Sequence, residues 1–256
     1  MLQETLLGCI KAMFDVLALA NPVAFGRASR VKRRATEFAN ATECPDFWQL
    51  EAAATLSQIG YVSLPVELVE KQYYGERLTA EEATLVSGVP EVAIKLLEHI
   101  PRLEPVMQIL AALNWEDEQV VKLGDGTIGL GTRMLGLSLE YEALVAQGHS
   151  TDIAVQTLRT RRGRFGAELI EKFAAHVGAG VAQDEVREIV LRSAHVGMIV
   201  LQDICTHNGT LIVPKGFEVT TAFLGRIGNF GPEFIAQKVR VLVPAAKAVQ
   251  QQAASG

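Results

Sequence analysis

The chain has 256 residues, 49% of them hydrophobic and 21% charged, enough to bury a full core as one large domain or two small ones, which excludes a disordered or fibrous protein. Its net charge of -5, from 24 basic against 29 acidic residues, excludes a chain that coats nucleic acid through general positive charge, while leaving local basic patches open.

Residues 1–20 carry a helical stripe, Leu6, Ile10, Met13 and Leu17, together with Glu4, Lys11 and Asp15, so neither a signal peptide nor a membrane span is expected there. Asn21-Pro22 stops this helix, and a second is expected over 24–40. Cys44-Pro45-Asp46 provides a break, with Asp46 as N-cap of a third helix over 47–59 that Ser63-Leu64-Pro65 ends. Thr79-Ala80-Glu81-Glu82 is a capping box, so a helix starts there, and Gly88-Val89-Pro90 restarts the chain. Further helices are expected over 91–99, 103–113, 131–146, 151–159 and 167–177. The glycine-rich stretch 124–131 lacks the preceding strand of a phosphate cradle and is expected to be a flexible connection. Gly178-Ala179-Gly180 marks a composition break where the period changes from helical to strand-like. Strands are expected over 187–191 and 198–205, the second joined to 210–213 by a hairpin through His207-Asn208-Gly209. Pro214-Lys215-Gly216 turns the chain, Thr220 or Thr221 caps a helix to about residue 230, and 239–243 is a last strand. The expected fold is therefore mainly α: a helical bundle over 1–178, a small α+β domain of βββαβ order over 183–245, and a flexible tail over 246–256.

The residues that carry chemistry are sparse. Cys9, Cys44 and Cys205 are odd in number, widely spaced and form no C-x-x-C, which argues against a disulfide framework or a cysteine zinc site and for a reducing cytoplasm. His99, His149, His176, His195 and His207 never fall at i, i+3 or i, i+4, so no local helical metal site exists and a structural role is the better assignment for each. No G-x-G-x-x-G turn, P-loop or G-x-S-x-G elbow is present.

The segment Phe47 to Pro65 resembles the metal-site helix of HD-GYP phosphodiesterases, whose pattern is A-x-L-H-D-I-G-K-x-x-I-P. Ordered matches continue along the helical region. Glu76 to Glu82 is similar to the family's K-L-T-x-E-E element, Pro90 to Leu97 to its H-P-x-x-G-x-x-I-L helix, Thr132 to Leu144 to A-R-I-L-x-V-A-D-x-Y-D-A-L, and Phe165 to Leu169 to F-D-P-x-L. The resemblance implies an HD-domain helical bundle. Carried across residue by residue, however, the first ligand histidine falls on Arg27, the His-Asp doublet on Ser57 and Gln58, the catalytic lysine on Tyr61 and the histidine of H-P-x-x-G on Val89. The paired histidines fall near Asn114 and Trp115, with Glu116 after them, and the late aspartate falls on Leu139. Only Glu116 retains a ligand type, and valine, leucine, serine and glutamine do not supply the donors that two or three metal ions need. Beyond the bundle, Val196 to Ile204 and Asn208 to Gly216 look like segments that follow HD output domains of bacterial response regulators.

The resemblance thus implies a non-catalytic output module of a two-component-type response regulator, cytoplasmic, without cofactor or metal, acting by binding a signalling partner protein or a nucleotide. A cyclic dinucleotide ligand, residual cyclic di-GMP phosphodiesterase activity and a homodimer stay open as alternatives. Arg27, Arg30, Arg33 and Arg34, with Arg161, Arg162 and Arg164, are candidate anion-binding residues. They could also serve a nucleic-acid-binding regulator, although such runs are more often solvated faces.

Overall fold

The structure, a computed structural model, describes residues 2–42, 47–180, 185–206, 209, 211–213, 215–228 and 230–243. The chain divides into two units, Met1–Gly178 and Ala179–Gly256.

In the first unit α1 (Leu2–Ala20) buries Ile10 and Leu17 of its apolar stripe. Asn21 both ends α1 and starts α2 (Pro22–Ala41): its Oδ1 accepts from the Ala24 amide at 3.0 Å, and Pro22 takes a first-turn position that needs no donor. α3 (Phe47–Leu56) is shorter than the expected 47–59 helix, which breaks into a 3-10 turn over Ile59–Ser63. The reason is local. The Ser57 hydroxyl donates to the Ala54 carbonyl at 2.8 Å, competing with the backbone for a helix acceptor.

α4 (Val66–Tyr73) follows Pro65 and was not legible from periodicity. α5 (Ala80–Ser87) begins at the expected capping box, with the Glu82 amide donating to Thr79 Oγ1 at 3.2 Å and the Thr79 amide donating to Glu82 Oε2 at 2.8 Å. α6 (Val89–Leu97), α7 (Glu104–Ala112), α8 (Asp117–Lys122), α9 (Thr127–Ala146), α10 (Thr151–Thr160), α11 (Arg162–Phe165) and α12 (Ala167–Gly180) complete the bundle.

The expected loop over 124–131 is corrected, because only its first residues turn and α9 starts at Thr127. Two of its glycines serve packing instead. A Cβ on Gly129 would lie 2.1 Å from the Gly124 carbonyl oxygen, and one on Gly131 would lie 2.9 Å from Ile109 Cδ1. The core gathers α2, α3 and α9, and Phe173 of α12 meets both Phe38 of α2 and Tyr141 of α9 edge to face, at 5.1 and 5.6 Å. None of the described helices is long and apolar enough to cross a membrane.

The second unit holds β1 (Glu185–Val190), β2 (Ile199–Val200), β3 (Ile204–Cys205), β4 (Leu211–Val213), α13 (Thr221–Ile227), α14 (Pro232–Ile235) and β5 (Lys238–Val243). One antiparallel sheet has the order β1-β5-β2, and β3 pairs with β4 separately, in the register Ile204↔Val213 and Cys205↔Leu211. The single strand expected over 198–205 is therefore two strands in two sheets. Asp203 causes the break: its Oδ1 accepts from the Lys215 amide at 2.7 Å, and this turns the chain out of the first sheet. The helix begins where Thr220 Oγ1 accepts from the Phe223 amide at 3.1 Å but ends at Ile227, short of residue 230. Gly209 takes a positive φ of 81°, as a hairpin turn requires. His207, Asn208, the Cys44-Pro45-Asp46 break with its Asp46 cap, and the tail 246–256 lie outside the described residues.

Candidate functional site

Ser57, Gln58, Tyr61 and Val89 meet at one junction. Ser57 and Gln58 occupy the turn after α3, where Gln58 Nε2 donates to the Ser57 carbonyl at 3.0 Å and to Ser57 Oγ at 3.3 Å. The Tyr61 amide donates back to the Gln58 carbonyl at 3.1 Å, while Asn21, fully buried, donates through Nδ2 to the Tyr61 carbonyl at 3.4 Å. Val89 opens α6 and lies directly on Gly60, because a Cβ at Gly60 would come 2.2 Å from the Val89 carbonyl oxygen and 3.0 Å from Val89 Cγ1. Only a residue without a side chain permits so close an approach.

The side chains assembled there end in a hydroxyl, a carboxamide, a phenol and an isopropyl group. Gln58 is buried, and its Oε1 has no hydrogen-bond partner among the described residues.

Asn114, Trp115 and Glu116 behave differently. All three are exposed in the turn between α7 and α8, where water can solvate Asn114. The Glu116 amide donates to Gln119 Oε1 at 3.0 Å, which makes this residue the start of α8. Leu139 is half-buried on α9.

The arginines are used largely within the fold. Arg30 Nε and Arg34 Nε of α2 each donate to a carboxylate oxygen of Glu142 on α9 at 3.1 Å, and Glu142 is only 3% exposed. Arg30 also donates to the Tyr73 hydroxyl of α4, and Arg34 lies 4.4 Å from the centre of the Tyr141 ring. Burial pushes the Glu142 carboxyl up, but Arg34 and then Arg30 more than offset it and hold it below its ordinary value. Burial raises the Tyr73 phenol, against the opposing charge of Arg30.

Arg164 is buried. It donates to the Leu113 carbonyl at 2.6 Å and the Trp115 carbonyl at 2.7 Å, and pairs with Asp117 at 3.0 Å, closing the end of α7 against α11. Arg161 reaches Glu140 at 3.5 Å, and Arg162 Nε donates to the Arg159 carbonyl at 3.3 Å. Arg33 is half-buried and adds its charge to those that lower Glu142. Arg27 stands over the Tyr73 ring, its guanidinium carbon 5.8 Å from the ring centre.

Glu142 and Tyr73 are the residues that sequence inspection missed, and Asn21, read there only as a helix stop, also reaches the Tyr61 carbonyl. A signal existed for the first: Arg30 and Arg34 are spaced i, i+4 on α2, and Glu140 and Glu142 are the only acids along the 20 residues of α9.

The metal ions that the HD-GYP resemblance implies do not fit these side chains. No group of three or more histidine, cysteine, aspartate or glutamate side chains that could hold a metal ion occurs among the described residues. No curated protein and no solved structure matches the chain. The family comparison is positive: the profile described as "HD domain" matches residues 11–169, more than half of the chain and most of the helical unit. The chain belongs to the HD-domain family.

Proposed function

We propose that the protein is a non-catalytic HD-GYP-like module that serves as the output region of a two-component-type response regulator and acts by binding a partner protein. HD domains belong to phosphohydrolase-type and signalling proteins, and the side chains at the junction support the second reading. The single observation that carries the signalling reading is the junction of α3 and α6, where Ser57 and Gln58 stand in place of the metal-binding doublet and Val89 is packed onto Gly60. A hydroxyl, an amide and an aliphatic side chain bind a divalent cation poorly against water. Without a bound cation, phosphodiester hydrolysis loses both its Lewis acid and its activated water.

The segments Val196 to Ile204 and Asn208 to Gly216 support the response-regulator context through their likeness to regions that follow HD output domains. The nucleic-acid alternative draws no support from Arg30, Arg34 and Arg164, whose donors are turned to Glu142 and to backbone carbonyls.

The test is elemental analysis of protein expressed in medium enriched in manganese and iron, combined with hydrolysis assays on cyclic di-GMP and bis-p-nitrophenyl phosphate. Substoichiometric metal and no turnover are expected. Stoichiometric metal with metal-dependent turnover that chelation removes overturns the reading.

A further inference from the structure

Arg27 differs from its neighbours on α2. Arg30 and Arg34, three and seven residues further along the same helix face, are engaged by Glu142, and Lys32 pairs with Glu51 at 3.3 Å. Among the described residues no carboxylate pairs with Arg27, and its Nε is buried with no hydrogen-bond partner. The residue as a whole is half-buried, so part of its guanidinium still reaches the surface.

Arg27 lies over the ring of Tyr73. The Arg27 guanidinium carbon lies 5.8 Å and that of Arg30 5.3 Å from the centre of the same ring, so two cations share one aromatic face group. Tyr73 is itself fixed, being buried and accepting a hydrogen bond from Arg30 through its hydroxyl.

A guanidinium stays charged at any physiological pH and presents its N–H groups as a rigid planar fork. With Nε buried, the terminal N–H groups are the donors left to meet two oxygens of one oxyanion. Arg30 and Arg34 together carry one charge more than the Glu142 carboxylate they share, so the neighbourhood of Arg27 keeps a net positive charge that favours an anion.

We propose that Arg27 is an oxyanion hook that takes a phosphoryl group of a small ligand, with Tyr73 as the ring that positions it. The proposal rests on the view that this unit acts by binding, and it names the chemistry of one ligand. Arg27 is the residue that contacts the ligand; Arg30 and Tyr73 act through it.

The probe is pyrophosphate, titrated calorimetrically into the full chain, the Arg27→Gln variant and the Arg27→Lys variant, with acetate as the carboxylate control. The parent is expected to bind pyrophosphate, with affinity that falls as salt rises. Arg27→Gln is expected to weaken binding about ten-fold or more, and Arg27→Lys to fall between, because it keeps the charge and loses the fork. Melting temperatures without pyrophosphate should agree among the three proteins, so that a lost site is told apart from a lost fold, and pyrophosphate should raise that of the parent alone.

No heat with the parent up to about 10 mM pyrophosphate overturns the proposal. Equal affinity in Arg27→Gln overturns it as well, and acetate binding as tight as pyrophosphate overturns the phosphoryl assignment. The same samples assayed for cyclic di-GMP hydrolysis keep the two readings separate. Turnover would sink the non-catalytic function whatever pyrophosphate does, while failure of pyrophosphate to bind leaves that function standing.

Discussion

The contact between α2 and α9 through Glu142 yields the sharpest prediction. Glu142→Gln keeps the shape of the side chain and removes its charge, leaving Arg30 and Arg34 without the carboxylate that each approaches at 3.1 Å. Removing one partner of a buried ion pair costs about 3–5 kcal/mol, because the remaining charges stay desolvated. Arg30 and Arg34 side chains are 12% and 18% exposed and can draw some water, so the lower end applies, about 3 kcal/mol. For a helical unit of this size that corresponds to a fall in melting temperature of roughly 6–12 °C.

The measurement is urea denaturation followed by the helical circular-dichroism signal, which reports mainly the first unit. Burial raises the Glu142 carboxyl, but Arg34 and Arg30 lower it more, so its folded value lies below its unfolded one. Such a group stabilises fully above the unfolded value of about 4.3, and the contribution is lost as pH falls through the folded value. The gap between parent and Glu142→Gln should therefore be complete at neutral pH and shrink below about pH 4. Replacing all three residues together, Arg30→Met, Arg34→Leu and Glu142→Leu, should return most of the loss, since no buried charge is then left unpaired. A cost below about 1 kcal/mol for Glu142→Gln at pH 7 would refute the assignment of this cluster as the tie between α2 and α9.

Two further perturbations test the packing. Gly60→Ala puts a Cβ 2.2 Å from the Val89 carbonyl oxygen, which the backbone must shift to accept, at a cost of about 1–3 kcal/mol. Gly8→Ala on α1, where nothing lies within 4 Å, should raise stability by about 0.5–1 kcal/mol; melting curves that move in the same direction for both contradict the close-approach account. Arg164→Lys keeps the charge but cannot reach the Leu113 and Trp115 carbonyls together from one fork, so a loss of about 2–3 kcal/mol is expected in urea titrations, and parent-like stability would count against it.

Elements whose cause is local were legible in the sequence. The Thr79 to Glu82 capping box is four contiguous residues that satisfy each other, and Thr220 caps α13 through a single local bond from the Phe223 amide, so neither depends on what packs nearby. α8 and α11 have six and four residues, too few for a 3.6-residue period to stand out. The break between β2 and β3 was hidden for another reason. Gln202 and Asp203 look like ordinary polar positions in a strand, and their effect appears only when the Arg240 and Lys215 amides arrive from elsewhere in the chain, at 3.4 and 2.7 Å.

The same distinction governs the candidate site. Ser57, Gln58 and Tyr61 are close because they lie within five residues at the turn after α3, and Val89 joins them because Gly60 has no side chain to keep it away. Asn114 follows no such rule: its position in a family pattern said nothing about burial, and it lies exposed after α7. Glu142 is hard to see in the sequence because arginines on a helix are usually solvated, and a basic run such as that on α2 reads as a surface. What overrides that default is the composition of α9. An acid on a largely apolar, buried helix must find a cation or be neutralised, and the two acids two residues apart face different neighbours: Glu142 meets α2, while Glu140 meets Arg161. The consequence reaches function. Once Arg30, Arg34 and Arg164 are tied to interior partners, the positive surface left for any ligand contracts, and Arg27, held on the Tyr73 ring with a buried donor unmatched among the described residues, becomes the arginine whose chemistry still points to a ligand.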